Sequence, residues 1–256
     1  FGGDGKKGWF TFAFIVCVLM IGFQLFTLLG VKERRDFKEE SSTSLRELGK
    51  VLFANDQLLW TAVSMALFMI GYCTTTSFGT YYFKFAYGDE NMYSVFAGVL
   101  GVSQLAALLV FPRFAAKFSR KKLYSAATVL VVIGYAVFFF APMNMVPIAV
   151  AGVLLFVGQA FIQTLMLMFL ADTIEYGQWK NGKRSESITL SVQPLINKIG
   201  GAVSMGITSL MLVWSGIKVG ETAAESISAS GQFTVKLMMI VLPVVFILAG
   251  YIIYRC

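Results

Sequence analysis

The sequence predicts an all-α integral membrane protein, and three observations predict it. Of the 256 residues, 57% are hydrophobic and 14% charged, where soluble domains average about half and a quarter; mean hydropathy is +0.73. The apolar residues gather into runs of about 20, the length that carries a helix across roughly 30 Å of hydrocarbon. The basic residues fall between those runs, not in one patch, so the net charge of +7 points to membrane topology and not to nucleic acid.

Taken in order, the runs lie at about 9–31, 58–83, 92–112, 123–141, 146–171, 188–217 and 233–254. The first is followed by the longest polar stretch, Lys32 to Gln57, with its Ser41-Ser42-Thr43-Ser44 cluster, which reads as a linker. Inside it Ser44-Leu45-Arg46-Glu47 has the spacing of a capping box, and Leu45, Leu48, Val51 and Leu52 recur at helical intervals. A short amphipathic helix on the membrane surface is expected there. Alternate loops carry 15 of the 21 basic residues: Lys32 to Lys50, Arg113 to Lys122, Lys180 to Arg184, and Arg255. Short cytoplasmic loops hold the Lys/Arg excess, so residue 1 is expected outside and residue 256 in the cytoplasm. Trp9, Trp60, Tyr81, Tyr82, Trp214, Tyr251 and Tyr254, near helix ends, suit interfacial anchoring.

One helix, a long basic linker and six further helices are how a carrier of two six-helix halves would look if cut after its first five helices. The expected organisation is therefore the outer end and last helix of a preceding half at 1–31, a cytoplasmic linker at 32–57, and a major facilitator-type six-helix bundle at 58–254. Phe1 and Cys256 carry no start or leader signal, as expected of a piece of a longer chain.

The same composition weakens enzyme readings. There is no histidine, which removes the commonest general base and the imidazole metal sites. Cys17, Cys73 and Cys256 are too far apart for a CxxC site or a disulfide framework. No cofactor or metal is expected in this part of the chain, and no Asp or Glu falls inside an apolar run to build a cation site.

Lys198 stands alone as a charge in mid-membrane. Such a group costs several kcal/mol unless it meets a partner or water, which makes it a candidate for a transport pathway; a structural ion pair is the alternative. Around it Thr189, Gln193 and Asn197 follow at i, i+4, i+8, with Ser191 and Pro194 beside them. Amides and an ammonium lining a wet cavity match a hydroxyl-rich solute, each hydroxyl needing a donor or acceptor, although Asn and Gln also join packed helices. Pro194 interrupts the backbone ladder, and Gly200, Gly201 and Gly206 permit bending or close helix approach. Gln159 and Gln163 lie one turn apart on one face of the fifth run, and either could reach the same cavity. The hydroxyls of Thr74, Thr75, Thr76 and Ser77 are expected mainly to bond their own helix.

The stretch Asp172 to Ser187, with the pattern DxxEYGxWxxGxRxES, is the most distinctive loop. It resembles the corresponding loop of the glycoside-pentoside-hexuronide:cation symporters, relatives of the melibiose carrier in the major facilitator superfamily. The likeness continues through Ser191-Val192-Gln193, Lys198 and Gly200-Gly201, and to Phe111-Pro112-Arg113, Ser44-Leu45-Arg46 and Asn55. The resemblance implies that Gln193 and Lys198 stand near the sugar and at the border with the cation site. Pro194 and Gln163 replace the Thr and Trp of melibiose-type carriers. It further implies a cytoplasmic charge network of Asp172, Glu175, Arg184 and Arg113 that closes the inner side.

The expected function is symport of a sugar or glycoside with Na+ or H+ in a bacterial inner membrane, by alternating access. The partners would be the sugar, membrane lipids and the preceding six-helix bundle. A carrier of lipid-like solutes on the same scaffold is the alternative.

Overall fold

The computed structural model describes residues 5–31, 45–182, 184–217 and 229–255, and its regular elements are all helical. It separates into two units, 1–42 and 43–256. The first holds one helix, α1 (Gly5–Gly30), apolar along its length and without a buried residue. The second holds α2 (Leu45–Ala54), α3 (Asp56–Tyr81), α4 (Met92–Lys117), α5 (Arg120–Phe140), α6 (Met145–Asn181), α7 (Glu186–Trp214) and α8 (Ala229–Arg255). Seven of these eight helices are long and apolar enough to span a membrane, matching the seven runs. Helix α2 falls within residues 32–57, and its Val51 and Leu52 pack on the bundle core; Lys32 to Ser44 lie outside the described residues.

Two extents differ from the sequence reading. Helix α3 runs on through a π-helical turn, Tyr82–Tyr87, ended by Gly88 at φ +90°. Tyr82 is thereby buried against Phe83 and Phe138 and anchors the core, not an interface. The larger difference is α6. The supposed loop from Asp172 is helical to Asn181, because Thr173, Ile174 and Gly177 continue the buried stripe of Phe169 and Leu170. Its 37 residues make a rod of about 55 Å, so its last turns project beyond a hydrocarbon layer of roughly 30 Å. Gly182, at φ +67°, ends it by returning its N–H to the Gln178 carbonyl.

Helices α3, α4, α5 and α6, α7, α8 form two triplets that exchange partners. The first helix of each packs on the second and third of the other: α3 on α7 and α8, α6 on α4 and α5. The firsts also touch each other, as do the thirds, so these cross-triplet contacts survive interchange of the triplets, as in an internal repeat.

Glycines close two of the cross-triplet pairs, α3/α8 and α5/α6. A methyl group on Gly71 of α3 would stand 2.9 Å from the Pro243 carbonyl oxygen of α8, and one on Gly250 of α8 would stand 2.8 Å from the Ser64 carbonyl of α3. The α5/α6 pair repeats the device. There a methyl on Gly134 would stand 2.7 Å from the Leu155 nitrogen, and one on Gly158 would stand 2.9 Å from the Ala127 carbonyl. Lipid supplies no hydrophobic drive between helices, so this backbone-to-backbone approach and its dispersion contacts hold the pairs.

Helix ends segregate by chemistry. One end of the bundle gathers Asp56, Arg120, Asp172 and Lys180. The other is an aromatic cluster in which Phe96 contacts Phe83, Phe138 and Phe156, with ring centroids 5.2 to 5.7 Å apart.

Candidate functional site

Helix α7 carries three stripes. The buried one, Thr189, Val192, Ile196, Gly200, Ser204, Thr208 and Met211, advances by three or four residues and packs on α3. Gly200 allows the contact: a methyl there would stand 2.9 Å from Met69 Cβ, whereas Gly201 and Gly206 have nothing within 4 Å. Close approach thus explains one of the three glycines. A second stripe, Leu195, Ile199, Val203 and Val213, is apolar and exposed, as a lipid-facing surface would be. The third, Ser187, Ser191, Pro194, Lys198 and Gly201, advances by alternate steps of four and three and lies opposite the buried stripe.

Lys198 is exposed and has no ion pair among the described residues. It stands twelve residues, ~18 Å, into α7, too deep for an easy reach to either surface. Asn197 is exposed and Gln193 half-buried on the edge between the polar and buried stripes. Pro194 stays within a continuous helix and gives up one backbone hydrogen bond. One expected member leaves the flank: Thr189 is buried and returns its hydroxyl to the Ser185 carbonyl at 2.8 Å. Ser191 stays on the exposed stripe, with its hydroxyl donated to the Ile188 carbonyl of its own helix at 2.7 Å.

The two glutamines of α6 part company. Gln163 is half-buried and makes no hydrogen bond to the α7 residues among those described. Gln159 is wholly buried and donates from Nε2 to the Tyr135 hydroxyl at 3.2 Å, and that hydroxyl also contacts Thr75 Oγ1. Gln159 therefore belongs to a core junction of α3, α5 and α6, and its Oε1 has no hydrogen-bond partner among the described residues. Thr74, Thr75 and Thr76 bond back to Ile70, Gly71 and Tyr72, as hydroxyls on membrane helices do. A second polar link missing from the sequence reading joins Gln104 Nε2 of α4 to the Tyr72 hydroxyl of α3 at 3.1 Å.

At the charged end the pairings depart from the expected network. Asp172 pairs with Arg120 of α5, not with Arg113, which is exposed and outside every ion pair of the described residues. Arg184 lies past the left-handed turn at Gly182 and pairs with Glu186 at 3.0 Å, not with Asp172 or Glu175. Lys180 holds Asp56 at the start of α3, 2.9 Å away. Glu175 is exposed one turn beyond Asp172 and bears electrostatically on Arg120. The helical extension of α6 causes this rearrangement by projecting Asp172 towards α5 and Lys180 towards α3.

Beneath these exposed pairs Asn55 forms a buried joint. Its Oδ1 caps α3 by accepting the Leu58 N–H at 3.0 Å, and its Nδ2 donates to the Thr173 carbonyl of α6 at 2.8 Å. Gly177 leaves room for it, since a methyl there would stand 2.6 Å from Nδ2. A recess of about 290 Å³ beside Asn55 is lined by Lys50, Gly177, Asn181 and Thr189. Among the described residues no group of acidic or cysteine side chains is arranged to hold a metal ion.

Residues 2–256 match the family described as MFS/sugar transport protein. The chain is 37% identical over 254 residues to a lactose permease of Lactobacillus delbrueckii subsp. bulgaricus, covering 98% of this chain and 40% of that protein. It is 34% identical over 249 residues to a raffinose carrier protein of Pediococcus pentosaceus, covering 96% and 38%. An isoprimeverose transporter of Lactiplantibacillus pentosus is 24% identical over 251 residues, covering 96% and 51%. The chain thus spans about two fifths of the length of the first two relatives, and all three are named as carriers, not enzymes.

Proposed function

Because the chain belongs to the MFS/sugar transport family, we propose that it forms one six-helix half, with the helix before it, of a bacterial plasma-membrane carrier that moves a sugar or glycoside together with Na+ or H+. The carrying observation is the polar stripe of α7, where Lys198 stands exposed halfway along an apolar helix with no counter-charge among the described residues. Facing lipid there costs several kcal/mol, so the stripe faces water and a second bundle across a shared cavity. Pairing with such a bundle accords with the fraction of the relatives' length that this chain covers.

In this reading Gln193, Asn197 and Gln163 exchange hydrogen bonds with sugar hydroxyls, and Pro194 shapes the wall beside them. Lys198 places a positive charge next to cation-binding carboxylates of the other bundle, so that occupancy by cation and by sugar become coupled. Alternating access proceeds by rocking of one bundle against the other, residue 1 being outside and residue 256 in the cytoplasm. The pairs at the basic rim are about half exposed, so solvent screens each to a small net contribution. Contacts of that size bias a two-state gate without locking it.

Counterflow of labelled glycosides, pentosides and hexuronides into proteoliposomes holding the intact carrier tests this, with and without Na+ and at two pH values. Saturable exchange of one sugar, stimulated by a cation, is the expected outcome. Absence of exchange for every sugar, by folded carrier that does exchange lysolipids, would move the assignment to amphiphiles.

A further inference from the structure

Helices α4 and α5 leave the turn at Phe118-Ser119 and diverge, touching little, while both lean on α6. The wedge between them is an open groove of about 730 Å³, within the roughly 300–1,000 Å³ of small-molecule sites. Its walls are Ala106, Val110 and Phe114 from α4 and Ala126 and Leu130 from α5, and Gly158 and Phe161 of α6 form its floor. Val110, Phe114 and Phe118 are about 40% exposed, so the groove opens sideways, where acyl chains are the solvent.

Its one charged lining residue is Lys122, at the basic end. Lys117 stands nearby with its ammonium 5.9 Å from the ring centre of Phe118, another lining residue, and Lys121 is adjacent in sequence. No acidic residue occurs between Glu90 and Asp172, and Asp172 is taken by Arg120. The ammonium groups of Lys117, Lys121 and Lys122 have no carboxylate partner among the described residues.

We propose that this groove is a binding site for an anionic phospholipid. One acyl chain lies along Ala126, Leu130 and Phe161, and the phosphate is held by Lys122 and Lys117 at the mouth. The apolar wedge alone would accept any lipid tail. The three unneutralised lysines at one end choose the headgroup, since basic pockets between membrane helices and lysines near the membrane surface attract anionic lipids. A neutral headgroup would leave the lysines uncompensated.

Native mass spectrometry of the intact carrier, extracted from vesicles of equal phosphatidylglycerol and phosphatidylcholine, tests the site independently of transport. Phosphatidylglycerol should be retained preferentially. Lys122→Gln and Lys117→Gln should each lower that preference about fivefold, and Lys50→Gln, which removes a basic charge from α2, should not. Ala126 is exposed and lines the groove, so Ala126→Trp should displace the retained lipid while the carrier still elutes as folded protein. Equal retention of the two lipids, an equal loss with Lys50→Gln, or retention unaffected by folded Ala126→Trp would each overturn the proposal. Should Ala126→Trp fail to fold, the lysine variants decide the outcome alone.

Discussion

Helices α6 and α7 are neighbours in sequence and treat polar residues in opposite ways. Helix α6 buries Gln159 completely and spends its amide on Tyr135, inside a pair of helices closed backbone to backbone at Gly134 and Gly158. Helix α7 touches the bundle through a single stripe and leaves Pro194, Asn197 and Lys198 uncovered. A polar residue in a membrane helix is therefore read by its azimuth. On the packed side it is a structural bond, and on the uncovered side it is available to a solute or a second bundle.

The closed pair is the most sensitive to substitution. Gly158→Leu forces a side chain into space where even a methyl meets Val131 Cγ2 at 2.6 Å and the Ala127 carbonyl at 2.9 Å. Overpacking of this kind costs about 1–3 kcal/mol or more, and thermal unfolding of the reconstituted carrier should register a large loss of folded protein. Gly201→Ala, with nothing within 4 Å, should leave the melting temperature unchanged. If the two variants proved equally harmful, the contrast between the helices would collapse.

Asn55→Ala removes both the α3 cap and the bond to the Thr173 carbonyl. A lost cap and an orphaned buried group together cost about 1–3 kcal/mol, so proteolysis at the α2/α3 junction should accelerate. Protection equal to wild type would show that the joint is incidental.

Lys198→Ala sharpens the other side. Coupling free energies between sites are about 1–3 kcal/mol, so cation-driven accumulation in the intact carrier should fall about tenfold. Stability should change by no more than about 0.5 kcal/mol, as for a surface position. Accumulation at the wild-type level would end the coupling role, and a large stability loss would reassign Lys198 to a structural ion pair.

The smallest effect belongs to the rim. Asp172→Asn and Asp56→Asn each break one half-exposed pair, with little loss of stability because solvent screens such pairs. Their signature is a shift in the balance of inward and outward access to a cysteine reagent; a melting-temperature drop as large as that of Asn55→Ala would mean that the pairs carry stability.

Hydropathy by itself determined the seven spans, the helix in the linker, the alternation of basic loops and the isolation of Lys198, because each depends only on neighbours along the chain. The pattern around Asp172 pointed to the family, yet its local polarity read as a loop. Tertiary packing, with Asn55 seated against Thr173 and Gly177, makes Thr173, Ile174 and Gly177 a buried helical stripe continuing Phe169 and Leu170. Tertiary structure alone decided the exchange of partners between the triplets, the burial of Tyr82 and Gln159, and the choice of Arg120 for Asp172. The physical reason is that lipid solvates every apolar face of a helix equally well. Hydrophobicity therefore places a helix in the membrane without fixing its rotation. Rotation is set where small residues admit a neighbour's backbone, as at Gly71, Gly134, Gly158, Gly200 and Gly250, and those contacts join residues far apart in the chain.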